Sequence, residues 1–358
     1  MKSTVLARLG AWLVVVSLSA TASALWAQSY SVVDIGSLPG GNTIARRINL
    51  AGQTVGGSGK MYGVNTRAFI RTGDSLLSLG TLPGGDYSSA FDINLGGAVV
   101  GDSNTATTIH AFLWDAATGM QDLGTLPGDT GSRAFGINDS DQVVGYSSGS
   151  NGVTAFLWKK NTGMTSLGTL PGGNMSEAFG INNAGFVVGV SSNSSGDRHA
   201  SLWIPGQDMQ DLGTLSGNSN SEAHKINNSG SVVGSSAGSN GTRAFLWNAS
   251  DGMRDLGTLG GDFSDALDMN NNGEIVGTST DSRGARAFYW SSNTGMQDLN
   301  ALIPANLNVV LTSAMGINNA GLIVAVGAVT ADISNRLDTD NTHRHAGPIH
   351  AFQLVPIH

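Results

Sequence analysis

Apolar and polar positions alternate along this chain in short bursts, each ended by Gly or Asn. In HAFLW (110–114), Phe112 and Trp114 fall on one side and Ala111 and Leu113 on the other, the two-residue period of a strand. The pentapeptide returns as TAFLW (154–158), HASLW (199–203), RAFLW (243–247) and RAFYW (286–290), with RAFIR (67–71) and HAFQL (350–354) as looser copies. A second burst, V-V-G and its variants, is β-branched and stops at Gly. Between it and a preceding I-N lie N-N-A-G, N-N-S-G or N-N-N-G, residues that tolerate the left-handed backbone of a tight hairpin loop. After residue 27 no stretch holds a capped helical period.

The bursts recur at a fixed distance. The apolar residue before Gly in D-L-G-T-L-P-G-G falls at Ile35, Leu79, Leu123, Leu167, Leu212, Leu256 and Leu299, spaced 44, 44, 44, 45, 44 and 43 residues apart. The Asn of I-N recurs at 49, 94, 138, 182, 227, 270 and 318. Seven phases of four short strands predict an all-β fold, a seven-bladed β-propeller of ~44-residue repeats. The N-terminal YSVVDIG (30–36) is the counterpart of GMQDLG (119–124), and the chain finishes on HAFQL, the phrase that elsewhere precedes it. The N-terminal strand is therefore expected to complete the last blade and close the ring, leaving no open sheet edge. In this frame HAFLW is the third strand of each blade. Its Trp residues (114, 158, 203, 247, 290) are packing residues between blades, each costing about 3–5 kcal/mol on truncation to Ala if buried.

HAFLW (110–114), GMQDLGTLPG (119–128) and FGINDSDQVVG (135–145), with their copies across residues 30 to 354, closely resemble the bacterial extracellular repeats of the HAF (His-Ala-Phe) family. The resemblance implies an exported protein. It implies no activity and carries over no catalytic residues.

Composition narrows the partners. Only 12% of the 358 residues are charged, and none is Cys, which excludes disulfide staples, thiolate zinc sites and thiol catalysis. Lys2 and Arg8 precede the apolar run AWLVVVSLSA (11–20), and small residues follow, so residues 1–27 read as a secretory signal peptide cleaved after Ala24 or Ala27. Its loss takes the formal charge from −8 to −10. A diffuse acidic balance without basic stripes argues against nucleic acid. No later segment reaches ~18 consecutive apolar residues, so no membrane-spanning helix is expected in residues 28–358, and the signal segment makes the periplasm or the medium the expected compartment. A monomer is the favoured state.

Two features could carry chemistry. The first is a hydroxyl opening every predicted inner strand, two residues before an Ala: Thr43, Ser88, Ser132, Ser176, Ser221, Ser264 and Thr312. It reads either as a polar funnel for a hydroxyl-rich ligand or, the favoured alternative, as caps and links between blades. Between hydroxyl and Ala stand Arg133, Glu177, Glu222 and Asp265 in four successive repeats, the phase at which a ligand preference would be written. The second is an insertion at about 329–348 in the last repeat, where Asp338, Asp340, His343 and His345 have the chemistry of a divalent metal site; a solvated loop is the competing reading. No other cofactor is expected. G-S-S-A-G (234–238) fits a nucleophile motif by letter but follows a strand without opening a helix, and V-G-G-S-G-K (55–60) lacks the first Gly of a phosphate loop. The carboxylates of M-x-D-L-G, at Asp122, Asp211, Asp255 and Asp298, recur with the repeat and read as turn residues. No catalytic set stands out. The expectation is an exported, non-catalytic module binding a glycan, a cell-surface polymer or another surface protein. The alternatives are an extracellular hydrolase or lyase acting on polysaccharide, and a structural surface protein without a small ligand.

Overall fold

The structure, a computed structural model, describes residues 29–39, 41–59, 65–150, 152–239, 241–329 and 349–357. The proposed signal segment and the candidate metal ligands Asp338, Asp340, His343 and His345 lie outside them.

Seven four-stranded antiparallel sheets are arranged as the blades of a closed propeller. Blade 3 is representative: an inner strand Asp129–Ile137, a second strand Val143–Gly149, a third Gly152–Lys159 and an outer strand Gly163–Ser166, paired in that order. Blades 1, 2, 4, 5 and 6 span 42–78, 88–122, 176–211, 218–255 and 264–298. Blade 7 is built from Val309–Ile317, Ile323–Val329 and His350–Ile357, and its outer strand is Ser29–Asp34 from the other end of the chain. Tyr30 pairs with Pro356 and Val33 with Gln353, so the ring is sewn shut by the N-terminal strand.

The core is seven wedges between neighbouring blades. In one, Val100, Ala111 and Leu113 of blade 2 meet Ala134, Ile137, Val143, Phe156 and Trp158 of blade 3. The Ala/Leu side of one HAFLW strand thus packs on the Phe/Trp side of the next, as the period-2 alternation dictates. Trp158, Trp203, Trp247 and Trp290 are buried, whereas Trp114 is only half-buried. The last wedge joins Val324 and Ala351 of blade 7 to Ala45, Ile48 and Phe69 of blade 1, and Arg71 adds a hydrogen bond to Gln353 Oε1 at 2.9 Å across the same junction.

Every inner strand is bulged just after its buried Ala, and those of blades 3, 5 and 7 carry a second register shift nearer their start. Ala134 pairs with Gly145 and Gly136 with Val144, leaving Phe135 without a cross-strand partner, and the same shift recurs after Ala45, Ala90, Ala178, Ala223, Ala266 and Ala314. The bulge crowds the backbone opposite it: a Cβ on Gly145 would sit 1.8 Å from the Arg133 carbonyl oxygen, which is why V-V ends in Gly in that blade. A bulge re-aims side chains. Here it turns two consecutive residues per blade towards the axis.

Candidate functional site: the axial funnel

The two bulge positions form stacked rings. The first ring is Arg46, Phe91, Phe135, Phe179, His224, Leu267 and Met315 from blades 1 to 7. The second is Arg47, Asp92, Gly136, Gly180, Lys225, Asp268 and Gly316. They divide the axis into two cavities, one opening where the inner strands begin (the funnel face) and one where they end (the asparagine face).

The asparagine face is a structural seal. Each I-N Asn donates its side-chain amide to the backbone carbonyl of the equivalent Asn in the next blade, from Asn49 to Asn94 O at 3.0 Å round to Asn318 to Asn49 O at 2.9 Å. Their Oδ1 atoms meanwhile accept from their own hairpin loops, for example Gln142 N to Asn138 at 3.0 Å. The recurring Asn of the repeat is thus both loop cap and interblade link.

At mid-depth the second ring is a closed charge cluster. Lys225 Nζ lies 3.2 Å from Asp92 Oδ2, and Arg47 lies 4.0 Å from Asp92 and 3.9 Å from Asp268. Asp92 and Asp268 also accept the backbone N–H of Ile137 and Ile317 in the following blades, at 3.2 and 2.9 Å. Arg47 donates to the carbonyls of Arg46, Leu267 and Met315. These charges are spent on the frame.

The funnel face is different. Phe91, Phe135 and Phe179 form a half-ring of edge-on contacts with centroids 4.9 and 5.4 Å apart, continued by Tyr146 at 5.7 Å from Phe135 and by His224 at 6.1 Å from Phe179. The three Phe rings are half-buried and, with Arg46, Glu222, His224, Leu267 and Met315, line a cavity of about 160 Å³. Above the rings sits a charged rim. Arg198 Nη2 lies 3.5 Å from Glu177 and 3.7 Å from Glu222; His224 Nε2 lies 3.0 Å from Asp265 Oδ1; Arg133 Nε lies 3.4 Å from Asp102 Oδ2.

The rim's protonation follows from burial set against pairing. Burial pushes the Glu177 carboxyl up, offset in part by Arg198 and reinforced by Glu222. Burial also pushes Asp102 up, against the pull of Arg133 and the Tyr87 hydroxyl. For His224, burial opposes the charge, yet Asp265 and then Glu222 outweigh it and hold the imidazole above its ordinary value. Burial would raise Asp265, but His224 and a hydrogen bond from Ser235 keep it low.

Arg133, Glu177, Glu222 and Asp265, singled out by their shared repeat phase, are therefore brought together on this rim. The hydroxyl ring goes elsewhere. Ser132 Oγ donates to Gly124 O at 2.6 Å and accepts from Ala111 N at 2.9 Å; Ser88, Ser176, Ser221 and Ser264 repeat both bonds. These five serines are buried staples between blades. Thr43 bonds Ser58 Oγ and Thr312 donates to Val326 O, and none of the seven lines either axial cavity. A polar funnel of hydroxyls is thus replaced by one of aromatic and charged side chains. The M-x-D-L-G carboxylates act locally: Asp122 accepts from Gly124 N at 2.8 Å and meets His110 Nδ1 at 2.8 Å, and Asp211 with His199 and Asp34 with His350 repeat the arrangement.

Sequence reasoning missed Arg46, the three Phe residues, His224 and Arg198. The signal was present. Ala134 and Ile137 are both buried but three residues apart, an odd step that strict alternation forbids and a bulge explains.

No protein-family model and no curated protein matches the chain. Solved structures do. The virginiamycin B lyase from Staphylococcus aureus is 9% identical, with 92% of this chain and 100% of that one aligned at a TM-score of 0.56. YCF48 bound to the D1 peptide is 11% identical over 92% and 96%, at a TM-score of 0.52. The β-propeller domain of the Trilobed protease from Pyrococcus furiosus is 7% identical over 83% and 92%, at 0.53. Against longer chains it spans only part: 62% of TolB from Acinetobacter baumannii, 46% of a prolyl endopeptidase and 50% of a puromycin-hydrolyzing peptidase. At such identities the likeness is of fold alone. Among the described residues no group of three or more His, Asp or Glu side chains is placed to hold a metal ion, and no helix is long and apolar enough to cross a membrane.

Proposed function

We propose that this protein is an exported propeller of the HAF repeat kind that binds a glycan, most simply a cell-surface or extracellular polysaccharide, in the funnel on the axis. One observation carries the reading: the half-ring of Phe91, Phe135 and Phe179, open to the cavity beneath a rim of hydrogen-bonding charges. Aromatic faces take up the C–H surface of a sugar ring, while Glu177, Glu222 and Arg198 offer acceptors and donors for its hydroxyls. The rest of the molecule is scaffold, with the asparagine face and the mid-depth cluster committed to closing the ring.

The test is calorimetric titration of the chain lacking residues 1–27 with a panel of glycans, repeated on Phe135→Leu. A bound glycan at a hundred times its Kd should stabilise the fold by about 2.7 kcal/mol. Phe135→Leu, which keeps an apolar side chain but removes the flat ring, should weaken binding at least tenfold. A glycan that binds the variant equally well lies outside the funnel, and a panel with no binder defeats the reading.

A polysaccharide hydrolase or lyase is the second reading, supported by Glu177. A carboxyl raised by burial beside a second carboxylate, with both held by Arg198, has the disposition of a general acid. Shortening of the bound glycan by the protein, abolished in Glu177→Gln, would favour it over binding alone.

A further inference from the structure

We infer that the funnel is built for an acidic sugar, a uronic acid residue whose carboxylate docks on Arg46; the inference rests on the glycan reading above. Arg46 is the blade 1 member of the first bulge ring, so its side chain lines the same small cavity as the three Phe residues. Its guanidinium stacks over Phe91 at 4.6 Å from the ring centre. Its Nε is buried with no hydrogen-bond partner. Burial opposes its charge and lowers its pKa, against the pull of Tyr87 and then Asp102, neither of which makes a hydrogen bond to it. The neighbouring Arg47, whose Nε is likewise unbonded, differs in that its other nitrogens donate to three backbone carbonyls and two carboxylates lie within 4.0 Å; Arg71 has Gln353, and Arg198 has Glu177 and Glu222.

A guanidinium stays charged at any pH the protein meets and carries five N–H donors in a planar fork. Enclosing it without an acceptor costs stability, and a carboxylate, which accepts two parallel N–H bonds, is the group that repays the cost. The opposite wall supplies the second half of the specification. Glu222 lines the same cavity from blade 5, three blades away by the shorter arc, and accepts hydroxyl donors. The Phe half-ring spans the longer arc between them and accepts an apolar ring face. A uronic acid carries all three: a carboxylate, hydroxyls and a C–H face. A neutral sugar leaves Arg46 unpaired, and a simple anion leaves the aromatic wall uncovered. At about 160 Å³ the cavity is smaller than the roughly 300–1,000 Å³ of sites that enclose a drug-sized ligand, so it takes one sugar unit of a chain and leaves the neighbours on the rim.

The experiment is titration of the mature chain with tri-galacturonate, tri-glucuronate, their neutral counterparts galactotriose and a glucose trisaccharide, and free glutamate, on wild type, Arg46→Gln and Arg46→Lys. At least one uronate should bind ten or more times tighter than its neutral counterpart. Arg46→Gln should erase that difference between uronate and neutral counterpart, and Arg46→Lys should restore part of it. The Arg46→Gln protein should unfold at or above the wild-type temperature, since it loses an unpartnered charge, and Arg46→Lys provides a second folded variant. Equal affinity for uronate and neutral sugar, or a uronate preference that survives Arg46→Gln, overturns the inference and leaves the glycan reading standing. Failure of every sugar overturns both. Glutamate binding as tightly as a uronate, with the same dependence on Arg46, overturns the sugar class.

Discussion

Single residues on the rim are controlled by the contest between burial and pairing. His224 and Asp265 are the clearest pair. The His224 pKa is raised, so its stabilisation is complete below the unfolded value of about 6.5 and is lost as pH climbs through the folded value. The Asp265 pKa is lowered, so its share is present above about 3.9 and disappears as pH falls through its folded value. The pair therefore contributes fully between about pH 4 and about 6.5. Thermal unfolding should occur at a lower temperature near pH 9 than near pH 6, with His224→Gln removing most of that difference. A wild-type profile that is flat or rising over this interval would show that the pair does not couple to folding. Glu177 and Asp102 are also raised, chiefly by burial, so their contributions fall in the same direction as pH rises, and His224→Gln isolates the share of the imidazole.

Inner strands repeat one chemical solution in five of the seven blades. The serine that opens the inner strand satisfies a carbonyl on one side and the Ala N–H of the preceding blade's third strand on the other, as Ser132 does for Gly124 and Ala111. Ser132→Ala leaves the buried Ala111 N–H unpaired, worth about 1–3 kcal/mol, and the part-buried Gly124 carbonyl without its partner. Denaturant unfolding should record a loss within that range or somewhat above it, with the slope unchanged. A loss below experimental error would mean that the two blades relax to re-pair these groups. The phase of this serine could be read directly, but its destination could not. A hydroxyl two residues before a buried Ala has the same spacing whether it faces the axis or the neighbouring blade, and interblade distance decides which.

On the scale of the whole ring, the N-terminal strand is the clasp. Tyr30 is fully enclosed against blades 6 and 7, with Tyr289, Leu302 and Leu354 in the same wedge. Deleting residues 29–34 removes that side chain, alone worth about 3–5 kcal/mol by analogy with large aromatic truncations, and bares the edge of His350–Ile357. The shortened protein should melt at a markedly lower temperature and self-associate on size-exclusion chromatography. An unchanged melting temperature with a monomeric profile would mean the ring holds without its clasp. Strand number, blade number and closure followed from the sequence alone, because each depends on a local period and on the phase at which the chain begins and ends. Arg46, Phe91, Phe135, Phe179 and His224 became a site only in the tertiary structure. They are tens to nearly two hundred residues apart, the bulge that turns them inward is a departure from the period, and their meeting depends on a seven-fold ring closing at a radius that interblade packing sets.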